Sequence, residues 1–297
     1  MKEISNLVYG MFSDKIISIL SHVSNRLLIQ FLYYVSYKRF PNLKEPTLFS
    51  EKINYLALND FFKDPQVSIC ADKVRVRDYI EGLGLKEILI NNYGVWENAK
   101  DIDWDALPSK FVLKCNHGSG YNIVCTDKSK LDINDVTNRL NNWLKNDYWK
   151  RSGELFYKDI KPLILCEEFI KTSDGLPPKD YKFFCSYGEP KFLFVAQERG
   201  ETTTKFDFFT PEWEFIPVTD AAHPHYQGNT LKPDGLEKML SLCRIIAKKW
   251  PLVRVDFYNE KGKVYFGEIT FMHHAGHPIF VPAEYDRIFG EMFPLTQ

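Results

Sequence analysis

Apolar residues at Leu131, Val136, Leu140 and Leu144 fall four or five positions apart, the stagger of a single helix face, and predict a helix over residues 130–149. Residues 1–60 also read as helical, interrupted by a loop between Pro41 and Pro46. Asp72 is placed to cap a further helix, which Gly82 and Gly84 end. Strand patterns dominate elsewhere. The stretch EILINNYGVW predicts a strand running into a turn, and FVLKCNHGSGYNIVCT predicts two strands about a glycine-containing loop. Residues 163–169 read as a buried strand. Residues 180–186 and 190–196 predict a hairpin about Tyr187 and Gly188, and 206–209 with 214–218 another. One more helix is expected over 233–250, with Pro233 at its first position and Pro251 beyond its end. A last hairpin, 252–258 with 263–270, follows it. Helices and strands mix without strict alternation, so the expected class is α+β.

The totals narrow the field. At 297 residues the chain can form one large domain or two to three lobes. A net charge of −1 offers no basic surface, and nucleic acid is not expected as a partner. Cys70, Cys115, Cys125, Cys166, Cys185 and Cys243 form no CxxC pair, and several lie in apolar runs, the habit of reduced, buried thiols in a cytoplasmic protein. The opening residues scatter charges where a secretory leader is apolar. The apolar run from Leu27 to Tyr37 is too short to span a bilayer. Cytoplasmic placement is therefore expected. Residues 16–40 are apolar and aromatic with basic positions at Arg26, Lys38 and Arg39. They read either as a helix resting on the inner membrane face or as one docked on the body of the protein.

The richest chemistry lies in VRVDFYNEKGKVYFGEIT. A three-residue loop of Glu260, Lys261 and Gly262 would set Arg254 opposite Glu268 and Asp256 opposite Phe266. Arg254, Asp256, Glu268 and Thr270 would then share one face. Their neighbours Val253, Val255, Phe257, Val264, Phe266 and Ile269 are apolar, so this face borders a core, where unpaired charge is expensive. Two carboxylates and an arginine suit Mg²⁺ held against a triphosphate, since Mg²⁺ takes hard oxygen ligands and arginine neutralises phosphoryl charge. A solvated hairpin with cross-strand salt bridges is the plainer alternative.

Other constellations are weaker singly. Lys114 ends a buried strand before His117, Gly118, Ser119 and Gly120, offering an ammonium and free amides to phosphates, or simply a tight turn. Lys73 follows Asp72 at a helix start, where amides favour anions. Glu167 and Glu168 end the strand LILCEEFI. Asp180 and Lys182 alternate onto one strand face, as a ribose or phosphate contact or as a salt bridge. His273, His274 and His277 fall in a loop after the last hairpin, and acceptor contact, zinc binding and a hydrogen-bonded loop all remain open for them. Asp101, Asp103 and Asp105 imitate the DxD clamp of sugar-nucleotide enzymes, or form an acidic loop before Pro108.

Taken in order, ADKVRVRDYIEGLGL, FVLKCNHGSG, CEEFI, DYKFF and RVDF with GEIT resemble the DK-led helix, lysine strand, adenine hinge, phosphate strand and metal hairpin of the ATP-grasp superfamily. FSEKINYLALND, CADKVRVRDYI, FVLKCNHGSGYNI, DYKFFCSYGEPKF and VRVDFYNEKGKVYFGEIT together are similar to its TupA-like branch, named for teichuronopeptide synthesis, over residues 48–271. The resemblance implies two α+β lobes clasping ATP, residues 66–166 and 167–297, after a helical region, 1–65. It implies ATP and Mg²⁺ as cofactors. Lys73, Lys114, His117, Gly118, Ser119 and Gly120 would meet the phosphates, Glu167, Glu168, Phe169 and Ile170 the adenine, and Asp180 the ribose. Lys182 and Arg254 would be the catalytic cations, and Asp256, Glu268 and Thr270 the Mg²⁺ ligands. Thr270 stands where many ATP-grasp enzymes carry asparagine. The implied activity is a ligase that joins a small-molecule or glycan carboxylate, such as a uronic acid of a surface polysaccharide, to an amino acid or other amine through an acyl phosphate. A glycosyltransferase, a kinase on the same fold and a non-catalytic binding module are the alternatives.

Overall fold

The computed structural model describes residues 15–173, 175, 177–198 and 203–295; the opening residues 1–14, whose charges argue against a leader, lie outside this set. Helical residues 15–23 lead into α1 (Asn25–Tyr37). Ser24 opens α1 by accepting from the Leu27 amide, and Lys38 closes it in the left-handed conformation. In α2 (Phe49–Leu56) the buried Glu51 carboxylate accepts from Arg39 Nη1 and from the amides of Asn42, Thr47 and Leu48 at 3.0–3.3 Å. The loop expected at 41–46 is thereby tied to the helix it precedes. After α3 (Pro65–Ala71), Asp72 accepts from the amides of Val74 and Arg75, the capping expected before α4 (Val76–Gly82).

Two antiparallel sheets follow. The smaller holds β1 (Asn92–Trp96), β2 (Phe111–Cys115), β3 (Asn122–Cys125) and β4 (Ile164–Glu168) in the order β1-β4-β2-β3. Helix α5 (Ile133–Leu144) lays Val136 and Leu140 against Phe111, Leu113, Ile123 and Ile164, completing a core of its own. Short α6 (Tyr148–Ser152) closes this part. The larger sheet adds β5 (Asp180–Ser186), β6 (Glu189–Gln197), β7 (Lys205–Phe209) and β8 (Phe215–Ile216). Strand β9 (Thr219–Asp220) leaves that sheet, and α7 (Leu236–Ile246) precedes β10 (Val253–Glu260) and β11 (Lys263–Thr270). The large sheet runs β11-β10-β5-β6-β7-β8, while β9 pairs with β12 (Phe280–Val281) ahead of α8 (Tyr285–Glu291). Helix α7 is shorter than the 233–250 expected, Pro233 standing before its first turn.

Strand alternation gives the large sheet two unlike faces. Phe183, Val253, Val255 and Phe257 join α7 in one core. The other face is divided. Phe184, Phe192 and Phe208 are roofed by Phe49 of α2 and Phe289 of α8, with ring centroids 5.4 Å apart for Phe49–Phe184 and 3.9 Å for Phe192–Phe289. Each such buried ring contributes about 2 kcal/mol. The other half faces the smaller sheet across a cavity. All six cysteines are free and buried.

Candidate functional site

The last hairpin is where the chain departs from the expected register. Its loop has two residues, not three: Lys261 and Gly262, both left-handed with φ of 49° and 79°, join the pair Glu260 and Lys263. Uninterrupted, that turn would set Glu268 opposite Val255, on the wrong face. A bulge between Asp256 and Phe257 corrects it. Gly267 is the extra residue, so that Asp256 lies opposite Glu268 and Arg254 opposite Thr270. The four side chains therefore do share a face, by a different route from the one expected. An isolated glycine within the strand pattern KVYFGEIT is the signal that could have found the bulge. A Cβ at Gly267 would stand 3.0 Å from the Asp256 carbonyl oxygen, which explains why no side chain is present there.

Strand β5 extends the face, with Lys182 paired to Asp256 and Asp180 to Tyr258. Opposite them, β2 turns Phe111, Leu113 and Cys115 into the smaller core and Lys114 the other way. The two sheets thus enclose a cavity of about 720 Å³. Lys73, Lys114, Ser119, Gly120, Asp180, Lys182, Arg254, Asp256, Glu268 and Thr270 all line it.

The ionic pattern is dense. Arg254 grips Asp256 with Nε and Nη2, both at 2.7 Å, and reaches Glu268 at 3.0 Å and the Thr270 hydroxyl at 2.9 Å. Its Nη1 donates to His273 Nδ1 at 2.8 Å. Lys182 bridges Asp180 and Asp256. Lys73 lies 3.9 Å from Glu268 and donates to the Gly118 carbonyl at 2.6 Å. Burial alone would raise the Glu268 carboxyl, yet Lys73, Lys182 and Arg254 hold it well below the usual carboxylate range. Burial likewise disfavours charge on Lys114, but Glu167 at 2.6 Å outweighs it and keeps the ammonium protonated.

Several of the expected residues stand behind the wall of the cavity. Glu167 pairs with Lys114 and, at 3.4 Å, with Arg77. Gly118 accommodates Tyr148, whose ring a Cβ would approach to 2.6 Å. His117 is buried, with Nε2 3.1 Å from the Trp143 carbonyl oxygen, and burial lowers its pKa. Glu168 ends β4 and Phe169 and Ile170 follow it, all three outside the cavity lining. The Asp101–Asp105 run is also outside it. Asp103 accepts from the amides of Asp105 and Ala106, and Lys128 binds the carbonyls of Trp104, Asp105 and Leu107.

Sequence reasoning missed Tyr148, Glu154, Tyr157, Phe194, Phe206 and His223, all in the lining. Glu154 is only 5% exposed, and burial raises its carboxyl to about 7 against opposing hydrogen bonds from Ser152 and Tyr148. Nothing in WKRSGELFY announces a buried acid.

No match is found among curated proteins. Among solved structures, the chain is similar to an L-amino acid ligase from Bacillus licheniformis, at 12% identity and a TM-score of 0.47, over 74% of this chain and 46% of that one. It is similar to a D-alanine-D-alanine ligase from Helicobacter pylori, at 16% identity and 0.39, over 76% and 59%. A third, the D-alanine-D-alanine ligase from Bacillus anthracis complexed with ATP, gives 16% and 0.40, over 69% and 55%. The chain spans about half the length of these structures. Residues 51–294, covering most of α2, both sheets and the lined cavity, match the family described as TupA-like ATPgrasp, and the chain belongs to that family.

Proposed function

We propose that this chain is an ATP-dependent ligase that joins a carboxylate to an amine, with ATP held between the two sheets. The observation that carries the reading is the convergence of Lys73, Lys114, Lys182 and Arg254 with an oxygen-only donor set in one cavity. Its volume lies in the range of small-molecule sites. Asp256, Glu268 and Thr270 present hard oxygens on one face, a donor set that fits Mg²⁺. Bound there, Mg²⁺ would neutralise charge on the phosphate oxygens.

In this reading Lys73 and Lys114 hold the phosphates beside the backbone of Ser119 and Gly120, Asp180 takes the ribose, and the adenine reaches beyond the cavity lining toward the backbone of 167–170. Arg254 and Lys182 steady the transferring phosphoryl group. A carboxylate oxygen bonds to the γ-phosphorus as its bond to the β,γ-bridging oxygen breaks, and ADP leaves with that electron pair. The amine then attacks the acyl carbon, phosphate departs, and the nitrogen loses a proton. Glu154, titrating near neutrality in the same cavity, is our candidate to receive it. We keep the division into 1–65, 66–166 and 167–297, with α3 and α4 bridging the parts. Val67, Val76 and Ile80 pack in the larger core, while Asp72 accepts from Asn116 Nδ2 beside the smaller sheet.

The substrates we propose, from the resemblance to teichuronopeptide synthesis, are a uronic acid of a surface polysaccharide or its precursor and an amino acid. The test is mass spectrometry of products from Mg-ATP, a panel of uronic acids and amino acids, with ADP release followed in parallel. An amide formed with one ADP per turnover is expected, with turnover falling about 100-fold or more in Glu268→Gln. A stable phosphoester would replace the ligase with a kinase. Thermal stabilisation by UDP- or GDP-sugars and not by Mg-ATP would replace it with a glycosyltransferase.

We also propose peripheral contact of a cytoplasmic protein with the inner membrane face. Ile19, Val23, Leu27, Tyr34, Val35 and Phe40 are exposed, beside exposed Arg26, Lys38 and Arg39 that match anionic headgroups. Among the described residues no helix is long and apolar enough to cross a membrane.

A further inference from the structure

Beside the cavity, whose lining includes His223 and His274, three ligating side chains from two distant segments meet. Asp220 ends β9, His223 follows in the next turn, and His274 lies in the loop after β11. Their ligand atoms all lie within 4.8 Å of one another. We propose that Asp220, His223 and His274 form a metal site separate from the Mg²⁺ position, suited to Zn²⁺ or a similar nitrogen- and oxygen-liganded ion.

The arrangement has the marks of a built site. Bonds of about 2.0–2.1 Å to a tetrahedral ion give ligand–ligand edges of roughly 3.3 Å. His274 Nε2 and Asp220 Oδ2 stand 3.5 Å apart, already at that spacing and long for a hydrogen bond. Asp220 Oδ1 accepts from the Ala222 amide at 2.9 Å, which fixes the carboxylate with Oδ2 toward His274. His223 Nδ1 stands 3.3 Å from the Thr204 carbonyl oxygen, the outer partner that typically sets a ligating imidazole with its other nitrogen free. Its ring stacks on Phe206 with centroids 4.0 Å apart.

The framework is held from outside as well. Asp220 is paired to Phe280 in the small β9–β12 ladder. The loop carrying His274 is pinned by Asn54 Nδ2, which donates to the Gly276 carbonyl at 2.8 Å, and by Tyr37, whose hydroxyl donates to the Pro278 carbonyl at 2.6 Å. The ligand atoms, within 4.8 Å of one another, have to close toward the tetrahedral edge for all three to meet one ion. Three protein ligands leave a fourth position, and His223, His274 and Ala275 border the cavity, so that position opens into it. A carboxylate, such as that of the substrate to be activated or of the incoming amino acid, is the ligand class it would take. This last assignment rests on the ligase reading; the ion site does not.

The experiment uses the full chain, stripped with a chelator and titrated with Zn²⁺ or Co²⁺ in the absence of nucleotide. One equivalent is expected to bind, with a rise in melting temperature and, for Co²⁺, the intense visible bands of four-coordinate geometry. His274→Asn keeps a residue at ease in the left-handed backbone found there (φ 48°), and His223→Phe keeps the stack on Phe206. Both variants should melt as the parent does without metal and bind at least about 100-fold more weakly. Glu268→Gln should bind as the parent does. No stoichiometric binding, or equal binding by parent and His274→Asn, overturns the site. Retained ion binding without amide formation would leave the site standing and end the ligase reading alone.

Discussion

At the scale of single residues, the cavity contains carboxylates in opposite electrostatic situations. Glu268 is held ionised by three cations, whereas burial pushes Glu154 up to about 7. The native state thus holds the Glu154 proton more tightly than the unfolded chain, where the ordinary value is 4.5. Its contribution to stability is complete below pH 4.5 and is lost as pH rises through about 7, on the order of 3 kcal/mol. Glu154→Gln should remove that part of the slope. Melting temperatures of parent and variant between pH 5 and 8 check it, and parallel curves would refute it. Variants of Asp256 and Glu268 should also differ. Asp256→Ala leaves the buried Arg254 without its bidentate partner and should cost about 3–5 kcal/mol. Glu268, whose side chain is 38% exposed, should tolerate Gln with little change in melting temperature. The ionic residues were legible because charges inside apolar strands are conspicuous. Glu154, Tyr148 and Tyr157 were not, since short helical turns leave no periodicity to read.

Among elements, the β10–β11 hairpin decides whether the site exists. Its strands were legible from alternation, but their register depended on a loop length and a bulge that alternation does not encode. Gly267→Ala tests the bulge. The new methyl would press on the Asp256 carbonyl, so the strands must part by a few tenths of an ångström under Asp256 and Glu268. We expect weaker Mg-ATP binding, by about tenfold, with a fold that remains intact. Titration of the melting temperature with Mg-ATP measures this, and an unchanged midpoint would mean that the strands absorb the methyl freely.

For the whole molecule, the α+β class and the local hairpins β5–β6, β7–β8 and β10–β11 were readable, because buried strands and turn residues are local signals. Pairings between distant strands such as β1–β4 and β5–β10 were not. The facing of the two sheets across a cavity was implied only by the resemblance, since the placement of distant segments leaves no mark in periodicity. The roofing of the large sheet by Phe49 and Phe289 was not read at all. Membrane contact is tested at this scale. Sedimentation with anionic vesicles should exceed that with neutral ones, and Val23→Glu with Phe40→Glu should abolish it. Equal sedimentation with both lipids would remove the headgroup argument.

Tyr37 belongs to the same helix that presents Tyr34 and Val35 outward, and its hydroxyl grips Pro278 beside the histidine loop. One helix thus carries both the exposed apolar residues and a hydrogen bond to the segment that follows the histidine loop. The contact between them bypasses both sheets, so a change at Tyr37 reaches the histidine loop directly through the Pro278 carbonyl.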